Sequence, residues 1–140
     1  MGAGREDLMD VYCKQIRSIV EYAAPVWHSS FTGEDRLRIE RIQKSALRIA
    51  LEDNYKSYTS ALKLTQMDTL FRRQQKLSMK FAKKCLISKK FSKWFKTHQK
   101  VTVTRGKGRK FCKVYSRTLR YELSPINYIT ELLNRTTNIK

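Results

Sequence analysis

Acidic side chains are almost missing from the second half of this 140-residue chain. Residues 71–140 hold 20 Lys and Arg but only two acids, Glu122 and Glu131, whereas residues 1–70 hold 10 of each sign. Between Asp68 and Glu122 there is no acid, while Arg72 through Arg120 place 18 positive charges. Two-metal phosphoryl transfer needs carboxylates that converge on the ions, and this half cannot supply them. Cysteine is scarce too: Cys13, Cys85 and Cys112 are odd in number and show no Cys-x-x-Cys spacing, which argues against a disulfide framework or a zinc finger. Buried thiols are the expectation, in a reducing nuclear or cytoplasmic setting. The N-terminus lacks an apolar signal core and apolar runs are short, so neither secretion nor a membrane span is expected. Met1-Gly2 resembles a myristoylation start, but Glu6 stands where Ser or Thr is wanted. The Asn134-Arg135-Thr136 sequon has no meaning without a secretory route.

What remains is a formal net charge of +18, 41% hydrophobic residues and 15 Phe, Tyr and Trp side chains. The aromatics are enough to build one small core. The charge exceeds what solubility needs, and its self-repulsion opposes a compact state unless an acidic partner relieves it. Nucleic acid is the expected partner, as RNA, DNA or an RNA–DNA hybrid.

Helical spacing dominates the pattern. Leu8, Tyr12, Ile16, Ile19, Val20 and Ala23 predict a helix over 7–24, capped by Asp7 and ended by Pro25. A second helix starts after Thr32, with Glu34 and Asp35 in its first turn and a core face of Ile39, Ile42, Ala46 and Ile49. Its other side carries Arg38, Arg41, Lys44 and Arg48, broken by Glu40, which makes it a secondary contact candidate. Asp53 and Asn54 close this helix, and Ser57 caps a short third one with Tyr58, Ala61, Leu62 and Leu64 as its apolar residues.

The fourth predicted helix, from Thr69 to about Leu86, is strongly two-sided. Leu70, Leu77, Phe81 and Cys85, widened by Phe71 and Ala82, form one face; Arg73, Lys76, Lys80, Lys83 and Lys84 form the other. Phe91, Trp94, Phe95 and His98 then recur at helical spacing among Lys89, Lys90, Lys93 and Lys96, predicting a short basic amphipathic helix. Aromatic stripes of this kind usually pack a core; the functional reading is base stacking beside phosphate contacts.

From Lys100 the pattern breaks. Residues 99–122 read as a basic arm or loop, with Arg105, Lys107, Arg109 and Lys110 around two glycines, followed by Arg117 and Arg120. The P-loop spacing is absent, so nucleotide hydrolysis is not expected. Residues 123–140 read as a C-terminal helix and tail, with Pro125 in the first turn and Ile126, Ile129, Leu132 and Leu133 as its apolar face. The expected fold is therefore mainly α. It is a small helical bundle over 1–98, a basic glycine-containing arm over 99–122, and a C-terminal helix.

Four strings together resemble one family. They are Val11-Tyr12-Cys13-Lys14-Gln15-Ile16-Arg17-Ser18-Ile19-Val20-Glu21-Tyr22-Ala23-Ala24-Pro25-Val26-Trp27; Arg38-Ile39-Glu40-Arg41-Ile42-Gln43-Lys44-Ser45-Ala46-Leu47-Arg48-Ile49; Thr104-Arg105-Gly106; and Arg117-Thr118-Leu119-Arg120-Tyr121 leading to Pro125. In order and spacing they resemble the region C-terminal to the palm in reverse transcriptases of jockey-like non-LTR retrotransposons. The resemblance implies a thumb-like region that helps to hold template or primer–template duplex through backbone contacts, beside a palm-containing chain. The palm's Asp-Asp signature is missing and no adjacent Asp pair occurs anywhere. The expectation is a non-enzymatic fragment or remnant without cofactor, metal or catalytic residue. Glu6, Asp7 and Asp10 read as an acidic first helical turn, and His28 and His98 as packing or surface residues. Phosphate contacts from Lys and Arg carry no sequence information, so low specificity is expected. The rival expectation is an interaction module whose apolar helices dock on a palm domain or whose basic half faces an acidic protein; a decayed copy with no selected function is a third.

Overall fold

The fold is that of a computed structural model in which residues 4–97 and 110–137 are described. It is mainly α, with no strand longer than an isolated bridge among these residues. In chain order the helices are α1 Arg5–Val11, α2 Arg17–Glu21, α3 Ala24–Trp27, α4 Gly33–Leu51, α5 Tyr58–Leu64, α6 Leu70–Ile87, α7 Leu119–Glu122 and α8 Pro125–Thr137. A π-turn, Tyr12–Ile16, joins α1 to α2, and 3-10 turns occupy His28–Ser30, Glu52–Asn54 and Ser92–Trp94. The described residues divide into two compact units: residues 4–24 with 31–74, and residues 25–30 with 75–97 and 110–137. The division falls inside α6, after Gln74.

In the first unit α4 begins where Thr32 predicts. Its side chain accepts from the Asp35 N–H at 3.2 Å, while the Asp35 carboxylate accepts from Thr32 in return, closing a capping box. These hydrogen bonds hold the Asp35 carboxyl below its ordinary value. Leu47, Leu51 and Ala61 form the buried cluster, with Met9, Tyr55, Tyr58, Leu62 and Met67 packed against it. Ile42 and Ile49, expected in the core, are exposed, as is Leu64; α4 instead turns Gln43, Leu47 and Ala50 inward. Helix α5 ends in a Schellman motif: the Met67 N–H donates to the Leu62 carbonyl at 2.9 Å and the Gln66 N–H to that of Lys63 at 3.3 Å. This places Gln66 at φ 53°, the left-handed position that glycine usually fills.

The π-turn rewrites the first predicted helix. One extra residue in a turn rotates everything beyond it by about 100°. The inward series accordingly runs from Tyr12 to Arg17, Glu21 and Ala24, while Ile16 and Ile19, expected in the core, face outward. The start and end of this helix also differ from expectation. Gly4 is the N-cap residue and Asp7 reaches back to its N–H at 3.2 Å. At the far end α2 stops at Glu21, Ala23 turns at φ 50°, and Pro25 lies in the first turn of α3 rather than ending its predecessor.

In the second unit the core is Ala82 and Cys85 of α6, Phe95, Phe111, and Ile129 and Leu133 of α8, with Leu86, Phe91, Ile126 and Tyr128 packed against it. Burial raises the Cys85 thiol pKa, as expected for a structural cysteine. Phe91, Trp94 and Phe95 do not extend a helix: they lie on and beside the single 3-10 turn Ser92–Trp94, and His98 lies outside the described residues. Phe81, expected in the core, is 39% exposed, and Ser78, Ala82 and Cys85 form the inward seam of this part of α6.

Candidate nucleic-acid interface

The segment Lys110–Thr118 has no regular structure, yet α8 fastens it. The Asn134 side-chain amide accepts from the Phe111 N–H at 2.9 Å and donates to the Phe111 carbonyl at 3.0 Å. Seven residues earlier on the same helix face, Asn127 accepts from the Val114 N–H at 2.9 Å and donates to the Val114 carbonyl at 3.2 Å, with further bonds to Ser116 Oγ at 3.1 Å and the Tyr121 carbonyl at 3.3 Å. A residue whose N–H and C=O both face one partner has extended backbone, so the two amides act as an artificial strand edge. Asn127 is fully buried and Asn134 nearly so. Asn134 thereby satisfies main-chain groups of the buried Phe111 that would otherwise lack partners, while Asn127 does the same for the half-exposed Val114. Thr97 pairs antiparallel with Phe111, and the Cys112 N–H donates to the Lys96 carbonyl at 2.7 Å. The two limbs that flank residues 98–109 therefore leave the core side by side.

On this frame stand most of the predicted contact residues. Lys76, Lys80, Lys83 and Lys84 are exposed along α6; Lys89, Lys93 and Lys96 are exposed between α6 and the bridge; Lys110, Arg117 and Arg120 are exposed beyond it. Lys110 Nζ lies 5.9 Å from the Phe111 ring centroid. Arg105, Lys107 and Arg109 lie outside the described residues. Arg73 belongs elsewhere: it lies in the first unit, where its guanidinium pairs with the largely buried Glu21 carboxylate, which Arg17 also faces at 3.8 Å. Its position on α6 matches the lysines, but its charge is paired with Glu21.

Among the described residues the first unit holds 12 basic and 10 acidic side chains, the second 13 and two. Both acids of the second unit are engaged locally, Glu122 by Lys113 at 3.0 Å and Glu131 by Arg135 at 2.5 Å. A net charge of +11 is thus concentrated on that unit. The first unit balances its charges with several i, i+4 pairs over its surface, among them Lys14–Asp10 at 2.5 Å and Arg38–Glu34 at 2.7 Å. Its basic residues Arg38, Arg41, Lys44 and Arg48 are all exposed on α4, as the stripe pattern predicts.

Lys113, Tyr115 and the two asparagines carry no local signal in the sequence that marks them as part of this surface. Asn127 and Asn134 sit at i, i+7 on α8, but only their partners 13 and 23 residues upstream reveal what they do. Among the described residues no three His, Cys, Asp or Glu side chains gather as around a metal ion, and no helix is long and apolar enough to cross a membrane. No family model, curated protein or solved structure matches this chain.

Proposed function

We propose that this chain is a non-catalytic nucleic-acid-binding region of the kind that follows the palm in a non-LTR retrotransposon reverse transcriptase, and that it grips RNA or DNA backbone without sequence specificity. The observation that carries the reading is the segregation of charge: 13 cations against two neutralised acids on one unit, with 12 against 10 on the other. A cationic surface of this density concentrates a polyanion and releases its counterions on binding. Lysines along one face of α6 are suited to phosphates, and the fastened segment after Lys110 adds Arg117 on a held backbone. The two longest strings of the family resemblance also meet in one core, where the Tyr12 hydroxyl donates to Gln43 Oε1 at 3.0 Å. A palm-containing polymerase chain is the partner this reading implies.

Titration of labelled single-stranded RNA, duplex RNA and an RNA–DNA hybrid at several salt concentrations, followed by fluorescence anisotropy, tests the proposal. Affinity that falls steeply with salt and ignores sequence is the expected result. No binding to any probe at low salt overturns it.

One observation favours the docking reading as well. Ile16, Ile19 and Tyr22 are exposed in succession on α2 and the turns that flank it, Ile19 by 76% and Tyr22 by 80%. An apolar row of this kind suits a protein surface. Light scattering that reports a monomer at high concentration counts against it; self-association relieved by Ile19→Ser supports it.

A further inference from the structure

The two limbs joined by the Thr97–Phe111 bridge share one design. Each sends a Phe into the core, Phe95 and Phe111, both 5% exposed. Each also carries a large ring outward: Trp94, 50% exposed, and Tyr115, 85% exposed. Neither ring is needed to close the core, which Phe91, Phe95 and Phe111 already serve.

Both rings stand on fixed backbone. The Trp94 N–H donates to the Phe91 carbonyl at 3.0 Å and the Phe95 N–H to that of Ser92 at 3.1 Å. The Phe91 ring meets the indole edge-on, centroids 4.9 Å apart at 66°. Tyr115 follows Val114, whose N–H and C=O are both taken by Asn127, and precedes Ser116, whose hydroxyl oxygen accepts from the same amide. A ring on such a support loses little freedom when another π-system lies against it. Exposed cations lie within two residues of each ring along the chain: Lys93 and Lys96 on one limb, Arg117 on the other.

Resting on the nucleic-acid reading above, we propose that Trp94 and Tyr115 are stacking platforms for unpaired bases. The second unit then takes a single-stranded polynucleotide in preference to a continuous duplex. In a duplex each base face already lies against its neighbour, whereas an unpaired base offers a free face to an aromatic side chain beside a phosphate-binding cation. Stacking is indifferent to sequence and, unlike phosphate contacts, releases no counterions, so it and the lysines separate in their salt dependence.

The test uses the full chain with a labelled oligouridine of about 12 nucleotides and a blunt RNA duplex of the same length, by anisotropy over a range of salt. Trp94→Ala and Tyr115→Ala are each expected to weaken single-strand binding about 5-fold or more at every salt concentration, without changing the salt slope, and to leave duplex binding unaltered. Trp94→Tyr should keep most of the affinity. Tyr115 is exposed enough that its removal leaves the helical circular dichroism unchanged, so that variant decides if Trp94→Ala misfolds. Variants that bind the oligouridine as the parent does, or that lose duplex affinity equally, overturn the stacking proposal alone. A parent chain that binds neither probe at low salt overturns the nucleic-acid reading beneath it.

Discussion

The two units of this chain settle their polar groups by different means. In the first, acids and bases are nearly balanced, interior polar groups pair with one another, as Tyr12 does with Gln43 and Glu21 with Arg17 and Arg73, and the cluster around Leu47 carries the fold. In the second, a modest core of Ala82, Cys85, Phe95, Phe111, Ile129 and Leu133 is supplemented by two buried asparagines that fasten an irregular segment, and the surface is left strongly cationic. The first unit is organised around its own stability. The second retains the self-repulsion of a net charge of +11, which a polyanion would relieve.

The largest effect expected on this comparison is in the first unit. Leu47 is fully buried, so Leu47→Ala should cost about 2–5 kcal/mol in urea unfolding. In the second unit the matching break is polar: Asn127→Ala leaves the Val114 N–H and C=O without their partner and should cost about 2–3 kcal/mol. Faster amide exchange at Val114 would localise that loss. If a Val114 amide in the Asn127→Ala protein stayed protected, the clamp would not be what holds the segment.

Alkaline pH should separate the units further. Burial, and for Tyr58 its hydrogen bond to Glu40, raises the phenol pKa values of Tyr12 and Tyr58 above the ordinary 10.0. A raised folded-state value means that the stabilisation is complete below pH 10 and is lost as pH climbs through the folded-state range. Both phenols lie in the first unit, so phenolate absorbance and loss of its tertiary signals should rise together above pH 10. The smallest effect concerns backbone strain. Gln66→Gly relieves the left-handed residue at φ 53° and should stabilise the first unit by up to about 1 kcal/mol, read as a shift in the urea midpoint.

The helices that could be read directly are those whose signals are local. Thr32 and Ser57 cap α4 and α5 by their own side chains, Pro125 opens α8, and α6 starts and stops within a residue or so of its expected bounds, although Phe71 and Phe81 of its expected apolar face are exposed. What could not be read depends on distant partners or on a slip in periodicity. The π-turn at Tyr12–Ile16 has no local signature, yet it exchanges Ile16 for Arg17 on the inward face. Gln43 is fully buried because Asp68 offers a carbonyl at 2.9 Å and Tyr12 a hydroxyl, neither visible from the spacing of α4. Arg73 shows the same limit at the candidate interface: its register matches the lysines of α6, but Glu21, 52 residues away, claims it. The aromatic stripe at Phe91, Trp94 and Phe95 was a true signal for a core with the wrong geometry, since a single 3-10 turn buries Phe95 and leaves Trp94 half-exposed.

The central claim is that the second unit, and not basic charge in general, binds the polyanion. It is tested most directly by comparing two triple variants of the full chain in the same salt titration with labelled RNA: Lys76, Lys80 and Lys83 to Gln on α6, and Arg41, Lys44 and Arg48 to Gln on α4. Each removes three charges from one exposed helix face. The α6 variant should lower the slope of log affinity against log salt by about 2 to 3, as expected for lost phosphate contacts, and the α4 variant should leave it nearly unchanged. An equal fall in both slopes, or none in either, would contradict the account.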